Sequence, residues 1–260
     1  MSDPGKEFPE GMVPLEDSKF SFECHPGVDC FTSCCKDVSI TLYPYDVIKL
    51  KNSLGMDSED FMREHSYLVQ GDNPFFPTVK LKLGDDREKT CPFLNDKGCS
   101  VYRERPSACR TYPLERAVDR MAAKGEPEEF YFMTNHPYCL GHKEEKEFTV
   151  ASWIRNQQLI EYNSMNALWV AIDTLFATNP WKGEGAGGEK QQLAFMVCYN
   201  IDGFRRFAGE YQLIKQFKIE KDFKRRIARE DGELLKFGFE WLKVILSRRS
   251  SLIKSSIYKA

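Results

Sequence analysis

Cysteine is the residue type whose number and spacing in this sequence could support chemistry. The chain holds nine cysteines, and eight of them lie within the first 139 residues. Thiolates bind soft and borderline metals because sulfur is polarisable and because coordination removes the thiol proton. We therefore predict that eight cysteines are metal ligands: Cys24, Cys30, Cys34, Cys35, Cys91, Cys99, Cys109 and Cys139. The alternative is that some of them are small buried packing residues.

The first four cysteines have the unusual spacing C-x5-C-x3-C-C. This spacing lacks the paired C-x2-C segments of a common zinc ribbon. The adjacent Cys34 and Cys35 cannot easily direct both side chains at one tetrahedral ion. We therefore expect one of the two to serve a second site or to bridge. The segment His25-Pro26-Gly27 favours a turn between the first two thiols.

The remaining four cysteines of this group lie between residues 91 and 139. A turn at residues 95–98 would bring Cys91 and Cys99 together across a hairpin. Pro106 suits the first turn of a helix, which places Cys109 near a helix start, where backbone N–H groups favour a thiolate. Cys139 lies between His136 and His142.

Other side chains near these cysteines have two interpretations each. Imidazole is a good zinc ligand, so a histidine could replace a thiolate, or it could simply face water in a loop. The histidines concerned are His25, His136 and His142. Three arginines could offset the negative charge of bound thiolates or bind an anionic substrate. Alternatively, they could form ordinary ion pairs with Glu104 and Glu115. The three arginines are Arg103, Arg105 and Arg110.

Cys198 is set apart from the other cysteines. It lies in the continuous apolar run 193–199, whose length favours a buried strand. A lone thiol in apolar surroundings has a raised pKa and packs as a small hydrophobic side chain. We therefore predict that Cys198 is not a ligand.

The elements that must position these residues indicate an α+β fold. Alternating or aromatic runs predict short strands at 38–42, 78–83 and 130–134. Helical spacing predicts a helix from Pro44 that ends at Gly55, another that begins at Asp57, and long helices from Thr149 onward. Asp202 is expected to cap one helix, and a last helix is expected at about 231–246. We divide the chain into an extended lead-in (1–19), a cysteine-cluster metal-binding region (20–148), and a mainly helical region packed on it (149–260).

The amino-acid composition limits the classes to which this protein can belong. With 42% hydrophobic and 29% charged residues the chain is neither disordered nor fibrous. No signal-like apolar run and no stretch of about 18 apolar residues occurs, so we expect a cytoplasmic protein without a transmembrane segment. In such a reducing compartment, clustered cysteines more often bind metal than form disulfides.

The C-terminal tail is basic. Residues 205–260 hold fifteen Lys or Arg against seven Asp or Glu, although the whole chain has a net charge of −2. An anionic partner, either a membrane surface or a nucleic acid, could dock there, or the charges could form a solvated helix face. No phosphate-binding loop, nucleophile elbow or dinucleotide fingerprint is present.

The cysteine segments resemble the YkgJ-type cysteine-cluster family of zinc- or iron-chelating domains. The resemblance covers roughly residues 20–140. It rests on the Cys34-Cys35 pair, on Asp46-Val-Ile-Lys-Leu50, on Cys91-Pro-Phe-Leu with Gly98-Cys-Ser-Val-Tyr102, and on Arg105-Pro-Ser-Ala-Cys109-Arg-Thr-Tyr-Pro113. The first gap is five residues, where many members have two.

This resemblance implies metal chelation, and the residues alone leave open which metal is bound. The non-ribbon spacing and the methylase branch of the family favour an iron-sulfur cluster slightly over zinc. The flagellin lysine methylases have a similar cysteine pattern. That second resemblance implies an alternative function, an iron-sulfur protein-lysine methyltransferase with a methyl donor and a protein substrate.

Overall fold

The structure is a computed structural model and describes residues 8, 12–119, 128–247 and 250–253. Within these residues the helices are α1 (Pro44–Leu54), α2 (Ser58–His65), α3 (Ser107–Thr111), α4 (Val150–Asn156), α5 (Leu159–Ala177), α6 (Glu189–Tyr199), α7 (Ile201–Glu210), α8 (Lys221–Arg229) and α9 (Asp231–Ser247). The strands are β1 (Lys19–Ser21), β2 (Ser66–Val69), β3 (Thr78–Leu81), β4 (Leu94–Asn95), β5 (Gly98–Cys99), β6 (Leu114–Asp119), β7 (Glu128–Met133) and β8 (Glu147–Thr149). The α+β class is confirmed.

The chain divides into two compact units, and each unit is built from two separate stretches of sequence. Unit 1 consists of Met1–Val38 and Ala108–Ile160. Unit 2 consists of Ser39–Ser107 and Glu161–Ala260. The division of the sequence into a cysteine region and a helical region at residue 148 stays a prediction.

Unit 1 contains two antiparallel strand pairs. Strand β1 pairs with β8, with Phe20 opposite Phe148, and β6 pairs with β7 over six residues. The aromatic run predicted as a strand at 130–134 is thus confirmed as part of β7. In the predicted lead-in 1–19, residues 1–7 and 9–11 lie outside the described residues, while Pro14 forms a bridge with Phe132.

The core of unit 1 is aromatic. The Trp153 ring lies 5.6 Å from that of Phe22 and 4.9 Å from that of Phe148, both edge-to-face. Its indole N–H donates to the carbonyl of Thr111 at 3.0 Å. Helix α4, which carries Trp153, begins after Thr149, whose hydroxyl accepts the N–H of Ser152. Helix α4 thus begins where helical spacing predicts a helix, directly after Thr149.

Unit 2 begins with a small sheet. Strand β3 pairs with β2, and its other edge meets the segment 40–42 through a bridge between Thr41 and Lys80. The strand predicted at 78–83 is confirmed for Thr78–Leu81. The strand predicted at 38–42 is reduced to that isolated bridge and two flanking hydrogen bonds, in which Leu42 donates to Val79 and Leu81 donates to Ile40.

Local signals account for the ends of α1 and α2. Pro44 is the first residue of α1, and Gly55 ends it with φ of 65°, a left-handed conformation that glycine adopts without strain. Asp57 accepts the backbone N–H of Glu59 at the start of α2. Both helices form where the sequence predicts them.

Helices α5 to α9 bury the large apolar side chains of unit 2, including Trp169, Phe204 and Phe237. Gly238 allows α9 to approach α6, because an added Cβ would lie 2.6 Å from Val197 Cγ1. The last helix is predicted correctly to within a residue. Helix α8 is absent from the sequence prediction.

Two details of this helical region are wrong in the sequence prediction. The run 193–199 belongs to helix α6 and not to a strand, because the polar residues 189–192 extend it to eleven residues. Its buried residues Ala194, Val197 and Cys198 then follow helical spacing. The cap of α7 is Asn200, whose side chain accepts the N–H of Gly203 at 2.9 Å, and Asp202 lies in the first turn.

No helix in the described part of the chain is both long enough and apolar enough to cross a membrane.

Candidate metal centre

Unit 1 contains six of the eight predicted ligands, and unit 2 contains Cys91 and Cys99. The six are Cys24, Cys30, Cys34, Cys35, Cys109 and Cys139. The nine cysteines form no disulfide bonds, and Cys198 is the one that is buried. None of the six sulfur atoms of unit 1 is therefore used in a disulfide.

Four of these six cysteines interact electrostatically with one side chain, the Tyr138 hydroxyl. Burial raises the pKa of this hydroxyl, and the charges of Cys34, Cys139, Cys30 and Cys35 raise it further, in that order. Anionic sulfur disfavours a second anion in its neighbourhood. The structure therefore brings together cysteines separated by more than one hundred residues.

Backbone geometry places Cys30 beside the segment that follows Cys139. The Cys30 sulfur accepts the backbone N–H of Leu140 at 3.1 Å. This contact holds the Cys30 sulfur beside the turn that follows Cys139.

The adjacent pair Cys34 and Cys35 lies in one turn of 3-10 helix at Ser33–Cys35. The turn follows Thr32, which has φ of 68°. A hydrogen bond from the Cys35 thiol lowers the pKa of Cys34 to about 7, and burial opposes this shift. A thiol with this pKa is substantially ionised at neutral pH, which is the form that binds metal.

An aromatic stack borders the four thiols. The His136 ring is parallel to the Tyr112 ring within 4° at 5.8 Å, and parallel to the Tyr138 ring within 7° at 5.2 Å. The pKa of Tyr112 is raised by burial first and by hydrogen bonding with Cys139 second. Sequence analysis missed both tyrosines, although Tyr112 stands three residues after Cys109 in the motif that carries the family resemblance.

One buried polar atom in this region, His142 Nε2, has no hydrogen-bond partner among the described residues. The His142 and Tyr112 rings are 6.4 Å apart, and the Phe22 ring contacts both. Burial lowers the pKa of His142 and thereby favours its neutral form. An orphaned polar atom in the same unit as these thiols fits a bound metal centre.

The thiols do not form a ready-made metal cage. Among the described residues, one group of three potential ligands has all its donor atoms within 4.8 Å of one another, and it contains no cysteine. Metal sites are rarely preformed in the absence of the ion, because the ion supplies the free energy that draws the ligands together.

That close group is Glu23, His25 and Glu144, which the sequence analysis did not single out as a set. His25 Nδ1 accepts the N–H of Gly27 at 3.1 Å, so the ring proton of the neutral form lies on Nε2, 3.4 Å from Glu144. Lys146 lies 2.7 Å from Glu23. Because His25 Nε2 carries a proton and the Lys146 ammonium lies beside Glu23, hydrogen bonding and ion pairing explain why these side chains are close together.

The hairpin predicted for Cys91 and Cys99 is present in unit 2. Strands β4 and β5 pair through Leu94 opposite Cys99, and the Leu94 N–H donates to the carbonyl of Cys91. Both thiols are partly exposed. Cys109 is the third residue of α3, after Pro106, as predicted.

The arginines among these cysteines make specific contacts within their own units. In unit 2, Arg105 lies over the Tyr102 ring at 3.9 Å and donates to the Tyr102 carbonyl. In unit 1, Arg110 donates to the carbonyl of Gln157 at 2.7 Å. Arg105 and Arg110 are both buried. Stacking and backbone contacts therefore hold these two side chains in place.

The segment that contains these cysteines is similar to a known protein family. Residues 23–140 match the family model CxxCxxCC, described as a "putative zinc- or iron-chelating domain". The chain is similar to that family over this segment, which is less than half of its length. The CxxCxxCC domain contains all eight predicted ligands and ends before Cys198, and the suspected relation to a cysteine-cluster family is confirmed. No curated protein and no solved structure is significantly similar to the chain.

The description of the CxxCxxCC family thus supports metal binding by this segment. The family description covers both zinc and iron, and it names no reaction and no substrate.

Proposed function

We propose that this protein binds a metal centre through thiolates of its CxxCxxCC domain, an iron-sulfur cluster in preference to zinc. The observation that carries the proposal is the electrostatic interaction of Cys30, Cys34, Cys35 and Cys139 with the same Tyr138 hydroxyl. Four thiolates are the ligand set of the common iron-sulfur clusters and also of structural zinc sites.

The adjacency of Cys34 and Cys35 favours the cluster. Neighbouring residues in one 3-10 turn cannot easily direct both sulfurs at a single tetrahedral ion. A cluster contains several iron atoms, so adjacent thiolates can bind different atoms of the same centre. The hydrogen bond between the two thiols also shows that their sulfur atoms are close together.

The remaining cysteines of the motif are proposed as ligands of the same kind. Cys24 and Cys109 belong to unit 1 with the central four, and Cys91 and Cys99 form the hairpin pair of unit 2. Eight thiolates would suit two four-thiolate sites, or one site of four with four thiols left for other roles.

Anaerobic purification followed by metal analysis and an absorption spectrum tests the proposal. We expect stoichiometric iron with inorganic sulfide and a brown protein. Colourless protein with stoichiometric zinc would keep the thiolate centre and overturn the preference for iron. Protein that binds neither metal, even after reconstitution under reducing conditions, would overturn the proposal as a whole.

Serine variants of the central cysteines test which thiols hold the metal. Cys30→Ser, Cys34→Ser and Cys139→Ser should each lower the metal content, because oxygen is a poor ligand for these metals. The same variants should also lower the melting temperature, since metal binding contributes to the stability of the domain. An unchanged melting curve after removal of the metal would contradict a structural role for the centre.

A methyltransferase activity on protein lysines is a separate proposal that rests on the resemblance to the flagellin lysine methylases alone. Calorimetric titration of the metal-loaded protein with S-adenosylmethionine tests it. Failure to bind this donor would remove the methyltransferase proposal and leave metal binding unaffected.

A further inference from the structure

The buried Nε2 atom of His142 needs an explanation. It has no hydrogen-bond partner among the described residues, and buried polar atoms in native proteins usually have one. An atom of this kind commonly binds a water molecule or a metal ion.

The other ring nitrogen of His142 fixes the position of the proton. The His142 ring donates a hydrogen bond to the backbone carbonyl of Thr134. Because Nε2 is the unpartnered atom, this donor is Nδ1. The neutral ring therefore carries its proton on Nδ1 and presents a lone pair at Nε2. Histidines that bind metals have this arrangement, in which the far nitrogen donates to a carbonyl or carboxylate.

The turn that carries His142 begins at a predicted ligand. His142 lies three residues after Cys139, in the turn Leu140–Lys143. The turn packs tightly against the segment that leads to Cys24, because a Cβ on Gly141 would lie 2.6 Å from the Glu23 carbonyl oxygen. The His142 ring also contacts Tyr112, the residue beside Cys139.

The other two histidines of unit 1 differ from His142. His25 Nδ1 accepts a backbone N–H, so the proton of its neutral form lies on Nε2, as described above. His136 is exposed and stacks between two tyrosines. Neither presents a buried lone pair.

We propose that His142 Nε2 is a metal ligand in unit 1, next to Cys139, in place of one thiolate of the centre. This inference rests on the proposed thiolate centre and replaces one of its thiolates with an imidazole. Three thiolates with one imidazole form a known zinc set, and imidazole also replaces thiolate in some iron-sulfur centres. A neutral imidazole reduces the negative charge of the centre by one relative to a fourth thiolate.

Cadmium binding tests this ligand independently of the native metal. Cd²⁺ is added to the metal-free, reduced full-length protein, and the ¹¹³Cd resonance and the binding affinity are measured for wild type and variants. Nitrogen and sulfur ligands give different ¹¹³Cd shifts. Selective ¹⁵N-histidine labelling should split the resonance through a cadmium–nitrogen coupling in the wild type.

We expect His142→Ala to lose that coupling and to weaken Cd²⁺ binding at least about tenfold. His142→Cys should restore the affinity and move the resonance toward that of an all-sulfur site, which shows that the chain still folds. His136→Ala is the matched control from the same loop and should keep both the coupling and the affinity.

Three outcomes separate the possibilities. A coupling that persists in His142→Ala, or Cd²⁺ affinity in that variant within twofold of wild type, would overturn the histidine ligand and leave the thiolate centre in place. A buried water between Tyr112 and His142 would appear as lower stability of both Tyr112→Phe and His142→Ala with unchanged Cd²⁺ binding, which also overturns it. Wild-type protein that binds no Cd²⁺ at all would instead overturn the proposed thiolate centre.

Discussion

The carboxylate of Asp46 binds Ser107 through two hydrogen bonds, from the backbone N–H at 2.8 Å and from the hydroxyl at 3.0 Å. Asp46 is completely buried, and its Oδ2 also accepts the N–H of Tyr43 at the start of α1. Both residues lie in the sequence motifs that carry the family resemblance. The first prediction concerns this contact.

Asp46→Asn should lower the free energy of unfolding by about 2 to 3 kcal/mol, because an amide NH₂ would face donors that now bind a charged oxygen. Chemical denaturation of the metal-loaded protein measures the change. Asp60→Asn, at a partly exposed residue of α2 that pairs with Arg63, is the control and should shift the free energy by less than about 1 kcal/mol. Equal effects of the two substitutions would contradict the role assigned to the Asp46 carboxylate.

The buried Lys51 supports a second prediction. Its ammonium lies 3.0 Å from carboxylate oxygens of both Asp202 and Asp231, and it is almost inaccessible to water. Burial raises the pKa of Asp231, but hydrogen bonds from Arg205 and Lys51 outweigh this and lower it overall. Arg205 and Lys51 together thus keep the Asp231 carboxylate ionised.

Lys51→Met should destabilise the protein by about 3 kcal/mol, because it leaves two carboxylates without this partner. Lys49 is a matched control on the same helix, since it pairs with the partly exposed Glu104 at 2.7 Å. Lys49→Met should cost less than about 1 kcal/mol. Thermal and urea unfolding measure the loss of stability in both variants. Comparison of the two losses shows whether the burial of Lys51 makes its ion pairs more important for stability.

Local sequence signals explain how much of the fold was predictable. Pro44, Gly55 and Asp57 determine helix ends through contacts within a few residues, and those ends are where the sequence places them. Helix α6 was mistaken for a strand because only its apolar residues were counted. Helix α8 was missed because its one fully buried side chain, Ile227, leaves little periodic signal among basic residues.

The sequence predicts which residue types form the candidate site, but it does not predict how they are arranged in space. Cysteine spacing identified the domain, yet only the fold shows that Cys30 and Cys139 share an environment while Cys91 lies in the other unit. The lone pair of His142 depends on a hydrogen bond to the carbonyl of Thr134, which leaves no trace in the sequence. Such contacts arise from tertiary structure.

A third prediction separates Cys198 from the other cysteines. Cys198 is buried in α6, where desolvation first and Asp173 second raise its pKa well above the ordinary thiol value. Cys198→Ala should therefore keep full metal content and cost roughly 1 kcal/mol of stability. Cys34→Ala is the contrasting variant and should lose metal. Metal loss in a folded Cys198→Ala protein would show that α6 contributes a ligand.

The basic face of α8 supports a fourth prediction. Lys221, Lys224 and Arg229 are exposed on this helix, whereas Ile227 faces the core. If the face binds a polyanion, wild type should co-sediment with duplex DNA at low salt and be released as salt rises. Replacing these three cations with glutamine should abolish the binding.

The control for this experiment keeps the same change in net charge. Glutamine replaces three exposed lysines of unit 2 outside α8, namely Lys82, Lys89 and Lys97. If both triple variants lose binding equally, attraction depends on net charge and not on α8. If wild type never binds at low salt, the face is simply solvated.

The last prediction concerns Glu240, which ties the segment after α9 to that helix. Its carboxylate accepts hydrogen bonds from Ser250 Oγ at 2.9 Å, from Ser251 N at 2.8 Å and from Ser251 Oγ at 2.7 Å, and Lys243 lies at 2.6 Å. Burial would raise its pKa, but Lys243 and the serine contacts outweigh burial and lower the pKa from 4.5 to about 2. The ionised form is therefore the one that holds this segment.

Because the folded pKa is the lower one, the contribution of Glu240 is fully present above about pH 5 and is lost as the pH falls toward 2. Glu240→Gln should accordingly exchange the Ser251 amide hydrogen faster than wild type at neutral pH, and the difference should shrink steadily below pH 4.5. Ser251→Ala removes one donor and should reduce the pH-dependent difference without abolishing it. Hydrogen exchange read by NMR measures both variants, and a wild-type to Glu240→Gln difference that stays constant down to pH 3 would contradict the lowered pKa.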